Sequence, residues 1–220
     1  MLSKKDIQFI IKIKRGDTES IADIFRELTD WIQEEFRVNV ITCYFDYTEA
    51  SSRGRINIVV DTERDYQCFF TKENGKVFPF EEEYRKRILA HFRVLAKKYH
   101  YNIPRDTFVI YMDFSYIYRC FLLNRIANKI RKNVKRNFSK SPIYKITTET
   151  DGIYIFYKKD EDIMIMAQNG ISEEIKKACF AIVKQYDEFS CFNLSTLKIK
   201  FDSQEYLEKH CKGSLGLYFR

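Results

Sequence analysis

The most distinctive chemistry in this chain is a basic stretch near its middle. No Asp or Glu occurs between Phe114 and Thr148, whereas nine Lys or Arg residues do. Because the whole chain has a formal net charge of +7, the residues outside this stretch carry a net charge of −2. The positive charge therefore belongs to one segment. Its cations are Arg119, Arg125, Lys129, Arg131, Lys132, Lys135, Arg136, Lys140 and Lys145.

Helical geometry would sort these cations onto the solvent side of one helix. At about 100° per residue, positions i, i+4, i+7 and i+11 form one narrow stripe, and an apolar stripe lies roughly 110° away, facing the core. Arg131 and Lys135 fall on the remaining exposed side. The charged stripe consists of Arg125, Lys129, Lys132 and Arg136, and the apolar stripe consists of Leu122, Ile126, Ile130 and Val134.

A row of cations at one-turn spacing suits a polyanion such as a nucleic-acid backbone. The aromatic residues that follow could stack on unpaired bases wherever a ring is exposed, although aromatic side chains on strands more often belong to the core. The alternative is a solvated helix face whose positive charge balances acidic patches elsewhere in the chain, such as 81–83 or 160–162. The aromatic residues in question are Tyr144, Tyr154, Phe156 and Tyr157.

Other motifs with recognisable chemistry are sparse. The chain has no Gly-rich phosphate loop, no His-Glu-x-x-His and no paired cysteines at zinc-ligand spacing. His210-Cys211 could supply two ligands or a thiolate with a base, but no partner motif accompanies the pair. We therefore expect no cofactor, no metal and no catalytic residue. Scattered carboxylates leave a metal-dependent hydrolase open as a third possibility, so the sequence does not decide whether the protein is an enzyme.

Composition is typical of a folded globular protein, with 45% hydrophobic and 31% charged residues. The longest unbroken apolar run is Ala178–Val183, far shorter than the ~20 residues that span a bilayer. Met1–Arg15 contains no uninterrupted apolar region of the kind found in signal peptides. We expect a soluble cytoplasmic protein that does not contact membranes, with reduced cysteines, several of them buried.

Hydrophobic periodicity predicts an α+β fold built from two similar halves. Each half is expected to run helix–strand–strand–strand–helix–strand, which suggests internal duplication within 1–115 and 116–220, although one continuous domain is possible. The sheets should be mainly antiparallel, with helices packed on one face. Turns are expected at Ser51–Gly54 and Glu73–Gly75, and Glu81–Glu83 should open a helix. Third strands are expected at Tyr66–Lys72 and Asp162–Ala167, and a last strand at Leu215–Phe219.

The sequence thus favours a non-enzymatic binding protein in which segment 119–145 contacts a polyanion, and nucleic acid is the polyanion that we expect. The alternative is a protein–protein interaction module of the inhibitor, immunity or adaptor type, in which the basic segment binds an acidic protein surface or takes no part in binding. The two differ in salt dependence, because displacement of counterions from a nucleic acid makes binding steeply sensitive to salt.

Overall fold

The computed structural model describes residues 2–48, 53–73, 76–78 and 82–220. The chain divides into two compact units, Met1–Ile117 and Tyr118–Arg220. Both are α+β, which confirms the predicted fold class. The predicted turns at Ser51–Gly54 and Glu73–Gly75 lie partly outside the described residues, as does Glu81.

The first unit contains the helices α1 to α4, a central sheet and a small two-stranded ribbon. Its helices are α1 (Lys4–Lys14), α2 (Asp23–Phe36), α3 (Glu63–Gln67) and α4 (Glu82–Lys98). Its strands are β1 (Val40–Tyr47), β2 (Gly54–Val60), β3 (Thr71–Glu73), β4 (Lys76–Phe78) and β5 (Phe108–Asp113).

The second unit contains a sheet of the same size with longer helical connections. A long helix begins at the end of β5 and enters this unit. Its helices are α5 (Phe114–Asn137), α6 (Asp160–Gln168), α7 (Ile171–Tyr186), α8 (Gln204–Cys211) and α9 (Leu215–Tyr218). Its strands are β6 (Ile143–Glu149), β7 (Gly152–Tyr157) and β8 (Lys198–Ser203).

The two central sheets share one topology, and it is mixed where the sequence predicted mainly antiparallel pairing. The strand orders are β1-β2-β5 and β6-β7-β8. In each sheet the middle strand is antiparallel to the preceding strand and parallel to the last one. The first two strands form a hairpin, which requires antiparallel pairing, whereas the last strand is reached through a helical crossover that returns the chain in the same direction.

The third strand of each predicted half is wrong. In the second unit, Asp162–Ala167 lies within α6, and the Lys159 N–H donates to the Asp162 carboxylate at the helix start (2.9 Å). In the first unit, most of Tyr66–Lys72 belongs to α3 and the residues after it, and only its end enters the ribbon strand β3. Carboxylates in the first turn favour both helices, because they complement the helix dipole. The predicted last strand is also helical, as α9.

Helices pack on both faces of each sheet and not on one face only. In the first unit, Ile58 of β2 is buried among α2 and α4 side chains, whereas Tyr44 of β1 makes an edge contact with Phe9 of α1 (6.1 Å). In the second unit, Phe156 packs against Leu207 of α8. The next residue of β7, Tyr157, shares a hydrogen bond with Ser172 of α7 (3.1 Å). Successive strand residues point to opposite faces, so each sheet is covered from two sides.

Candidate polyanion-binding face

Helix α5 is amphipathic over its second-unit portion. The predicted apolar stripe, Leu122, Ile126, Ile130 and Val134, is 0 to 1% exposed. Buried Leu123 and Ala127 widen it. Burial of this stripe fixes the rotation of the helix about its axis, and thereby determines which side chains face solvent.

Six cations occupy the solvent side of α5, and we call them the basic face. All six are exposed. They span 12 positions, which at 1.5 Å per residue corresponds to about 16 Å of helix. The helix contains no Asp or Glu. The members of the basic face are Arg125, Lys129, Arg131, Lys132, Lys135 and Arg136.

The hydrogen-bond and ring partners of the basic face are neutral. Lys129 Nζ donates to the Tyr186 hydroxyl (2.7 Å) and lies 4.3 Å from the centre of that ring. Arg131 donates to the Asn128 side-chain oxygen (3.0 Å), and the Arg125 guanidinium lies 5.7 Å from the Phe121 ring centre. Among residues 2–48, 53–73, 76–78 and 82–220, no carboxylate forms an ion pair with any of the six. No carboxylate in those ranges therefore neutralises their charge at short range.

Arg119 differs from the other cations of the basic segment, because it is buried. Its guanidinium lies 4.0 Å from the Asp151 carboxylate, and both side chains are more than nine-tenths buried. Asp151 also pairs with Lys198 (3.1 Å). Arg119 therefore contributes to the interior of the unit and not to the basic face. Lys140 and Lys145 beyond the helix are exposed.

The aromatic residues that follow α5 in sequence do not form a common exposed platform. Phe156 and Tyr157 are fully buried, so the idea that these rings stack on bases is wrong. Tyr154 is half-buried, and Tyr144 is exposed. Burial raises the pKa of Tyr157, which keeps its hydroxyl neutral as a partner of Ser172.

A cavity of about 570 Å³ lies in the second unit, and sequence reasoning missed it. Tyr206 and Tyr218 both line it, with ring centres 6.1 Å apart. Its residues come from the β6–β7 turn, from β7 and β8, and from α8 and the C-terminal segment. The one local signal was the pair Tyr206 and His210, four residues apart on α8 and hence on one face of that helix.

Histidine and cysteine chemistry is modest in the described part of the chain. No group of three or more His, Cys, Asp or Glu side chains there could hold a metal ion. His210 is exposed whereas Cys211 is buried, so the two point to different environments. Cys43, Cys179 and Cys211 are buried, in agreement with the prediction that several cysteines are buried. Burial raises the pKa of the Cys43 and Cys179 thiols to about 12, which disfavours the nucleophilic thiolate.

Two further observations concern membrane-spanning helices and similarity to known proteins. Within the described residues, no helix is both long enough and apolar enough to cross a membrane. Comparison of the chain with protein-family models, with curated proteins and with solved structures gave no match.

Proposed function

We infer that the protein is a non-enzymatic binding protein that contacts a polyanionic partner through the basic face of α5, and that this partner is nucleic acid. The observation that carries the proposal is the run of six exposed cations on a helix without carboxylates, whose described contacts are with neutral groups. The residues assigned to phosphate contacts are Arg125, Lys129, Lys132 and Arg136, flanked by Arg131 and Lys135.

The energetics of the helix support an external anion. Like charges three or four residues apart destabilise a helix by a few tenths of a kcal/mol per pair. Arg125 and Lys129 are such a pair, as are Lys132 and Arg136. A phosphate backbone that follows the helix would relieve this repulsion and would release its own condensed counterions.

The arrangement suits backbone contact better than base reading. The four phosphate-contacting side chains are long and flexible, and successive ones are about one helical turn, or roughly 5.4 Å, apart. Backbone contacts position a nucleic acid without carrying sequence information. We therefore expect binding with little sequence preference, and we expect single strands to bind at least as readily as duplexes because they can adapt to one helix.

The test is fluorescence anisotropy with labelled single-stranded and duplex oligonucleotides over a series of salt concentrations. Four phosphate contacts predict a log–log slope of affinity against salt of about −3 to −4. The variant R125E/K129E/K132E/R136E should lose binding while its circular dichroism spectrum is unchanged, because all four residues are exposed.

A matched control separates a local site from the effect of net charge. The variant K4E/K5E/K12E/K97E changes the charge by the same amount at exposed positions of α1 and α4. It should bind nearly as the unchanged protein does. Equal binding by the α5 variant and this control would overturn the proposal. Salt-insensitive binding of an acidic protein, with no oligonucleotide bound, would favour the interaction-module alternative.

A further inference from the structure

The cavity of the second unit combines aromatic walls with charged side chains of both signs, Lys200 and Arg220 against Glu149 and Asp202. Tyr154 of β7 pairs in register with Lys200 of β8, so their side chains share one face of the sheet. The Lys200 ammonium lies 5.9 Å from the centre of the Tyr154 ring. Lys200 forms no ion pair with any described carboxylate and remains available to an anion.

Helix α8 supplies a second aromatic wall. The rings of Tyr206 and His210 are 4.5 Å apart and tilted by 38°, and both residues are exposed. Tyr218 contacts Tyr154 and Tyr206 edge-on, at 6.1 Å in each case. The exposed rings of α8 and the half-buried ring of Tyr154 on β7 offer surfaces on which a planar group can stack.

Two carboxylates line the cavity, and one of them, Asp202, is already engaged in hydrogen bonds. Asp202 Oδ2 accepts a hydrogen bond from the Tyr218 hydroxyl (2.8 Å), and Oδ1 accepts one from the Ser203 N–H (2.8 Å). Burial and this carboxylate both raise the pKa of Tyr218, so that its hydroxyl stays a donor. Lys200 and Arg220 would repel a cationic ligand and Asp202 is engaged, whereas the exposed Glu149 carries the one other carboxylate of the lining.

We propose that this cavity binds a nucleotide, with the base stacked on the exposed rings and the phosphate at Lys200. The volume lies within the roughly 300–1,000 Å³ of small-molecule sites. A nucleotide joins a planar aromatic ring to an anion, which are the two groups that this lining accommodates. The ligand could be free, or one unit of a single strand. This site is separate from the basic face and does not depend on it.

Isothermal titration calorimetry with AMP, UMP, adenosine and inorganic phosphate tests the proposal. AMP and UMP should bind with similar affinity, and adenosine and phosphate should bind at least tenfold more weakly. Y206A should weaken AMP binding by about tenfold or more, since stacking on one ring contributes that much to affinity. K200A should weaken AMP binding but leave adenosine binding unchanged. Both residues are exposed, so neither variant removes core packing.

Control variants and a second ligand complete the experiment. Y47A and K177A, at exposed positions outside the cavity, should bind AMP as the unchanged protein does. The variant R125E/K129E/K132E/R136E should also keep AMP binding, so failure of the basic-face proposal is distinguishable from failure of this one. Competition against AMP in the variant R125E/K129E/K132E/R136E separates the two sources. A short oligonucleotide that displaces AMP there would identify a strand as the source, and one that does not would identify free nucleotide. Absence of AMP binding, or phosphate binding as tightly as AMP, would overturn the assignment.

Discussion

Helices α2 and α5 hold the same place in the order of elements before two sheets of one topology, yet their charges are opposite. Each helix precedes the hairpin that supplies the first two strands of its unit. Helix α2 carries one arginine and five carboxylates, whereas α5 carries seven cations and no carboxylate. Both helices bury an apolar stripe, so the same place in the element order goes with opposite charges on the remaining sides of the two helices.

The two helices also differ in whether their charged side chains form ion pairs with other residues of the same unit. Glu27 of α2 accepts hydrogen bonds from Lys98 (2.6 Å) and from the Tyr99 hydroxyl (2.8 Å), and these bonds lower its pKa. Glu35 pairs with Arg87 of α4. Two carboxylates of α2 are thus paired with side chains of the same unit. No carboxylate among the described residues pairs with the basic face of α5. A charged surface without such ion pairs is available to an external partner of opposite charge.

The largest effect expected from this comparison concerns the apolar stripes. Leu28 of α2 and Ile130 of α5 are both fully buried. L28A and I130A should each lower the free energy of unfolding by about 2–5 kcal/mol, from lost burial and a residual cavity. Urea denaturation of each variant measures this loss. A cost below about 1 kcal/mol for I130A alone would show that α5 is not the structural equivalent of α2.

These stripes are also what the sequence predicted best. The i, i+3, i+4, i+7 pattern in α2 and α5 identified residues such as Leu28 and Ile126 as core, because a buried helix face imposes that period whatever the rest of the chain does. The direction of β5 and β8 was not predictable in the same way. A strand pattern reports which side chains are buried but not which neighbour it pairs with.

A smaller effect concerns the anchoring of the basic helix. The Tyr118 hydroxyl donates to the Tyr186 carbonyl (3.1 Å) and accepts from the Glu188 N–H (3.1 Å), which ties the start of α5's second-unit portion to the end of α7. Y118F removes both of these hydrogen bonds, although the Glu188 N–H still donates to the Tyr186 carbonyl (3.1 Å), so it should cost about 0.5–1.5 kcal/mol. Thermal unfolding followed by circular dichroism checks it. An unchanged midpoint would mean that these groups find other partners.

The candidate sites were predictable only where they are local. The basic face lies within one helix, so charge and period identified it from Arg125 to Arg136. The cavity joins residues from Glu149 to Arg220, and only the folded sheet brings Tyr154 beside Lys200. Segment 162–167 was wrongly predicted as a strand for a different reason. Its run of Ile and Met is compatible with a strand or a helix. The segment is helical, and the carboxylates in the first turn of α6 favour this because they complement the helix dipole.

The third prediction separates stability from binding within α5. K132E places a carboxylate three residues from Lys129 and Lys135 and four from Arg136. It should raise stability by a few tenths of a kcal/mol at low salt, since each new opposite-charge pair contributes about 0.2–0.5 kcal/mol. The same change should weaken oligonucleotide binding and reduce its salt slope by about one unit.

The matched control for K132E is K177E on the exposed side of α7. Lys177 lies three and four residues after Glu174 and Glu173, so the same change in charge creates like-charge neighbours there and should lower stability. Oligonucleotide binding should be nearly unaffected. Stability changes of the same sign in both variants, measured by urea denaturation at low salt, would contradict the view that the basic face carries uncompensated repulsion.

The smallest effect distinguishes the two helix pairs by pH. In the first unit α2 and α4 meet through stacked rings of Trp31 and His91, 4.0 Å apart, and burial lowers the pKa of His91 although Glu27 opposes this. The corresponding contact between α5 and α7, Lys129 with Tyr186, contains no histidine. Histidine is the side chain that ordinarily titrates between pH 5 and 8, so only the first contact should respond there.

The direction of this pH dependence follows from the coupling between protonation of His91 and folding. Because the pKa of His91 is lower in the folded state than in the unfolded chain, its contribution to stability is complete above about pH 6.5 and is lost as the pH falls from that value through the lower pKa of the folded state. H91F keeps a ring against Trp31 but cannot be protonated, so it should lose less stability between pH 8 and pH 5 than the unchanged protein. Urea denaturation followed by fluorescence of Trp31, the single tryptophan, measures this difference. Equal pH dependence in the two proteins would show that the stacked pair does not disfavour the protonated imidazole, and the contrast between the two helix pairs would then rest on charge pairing alone.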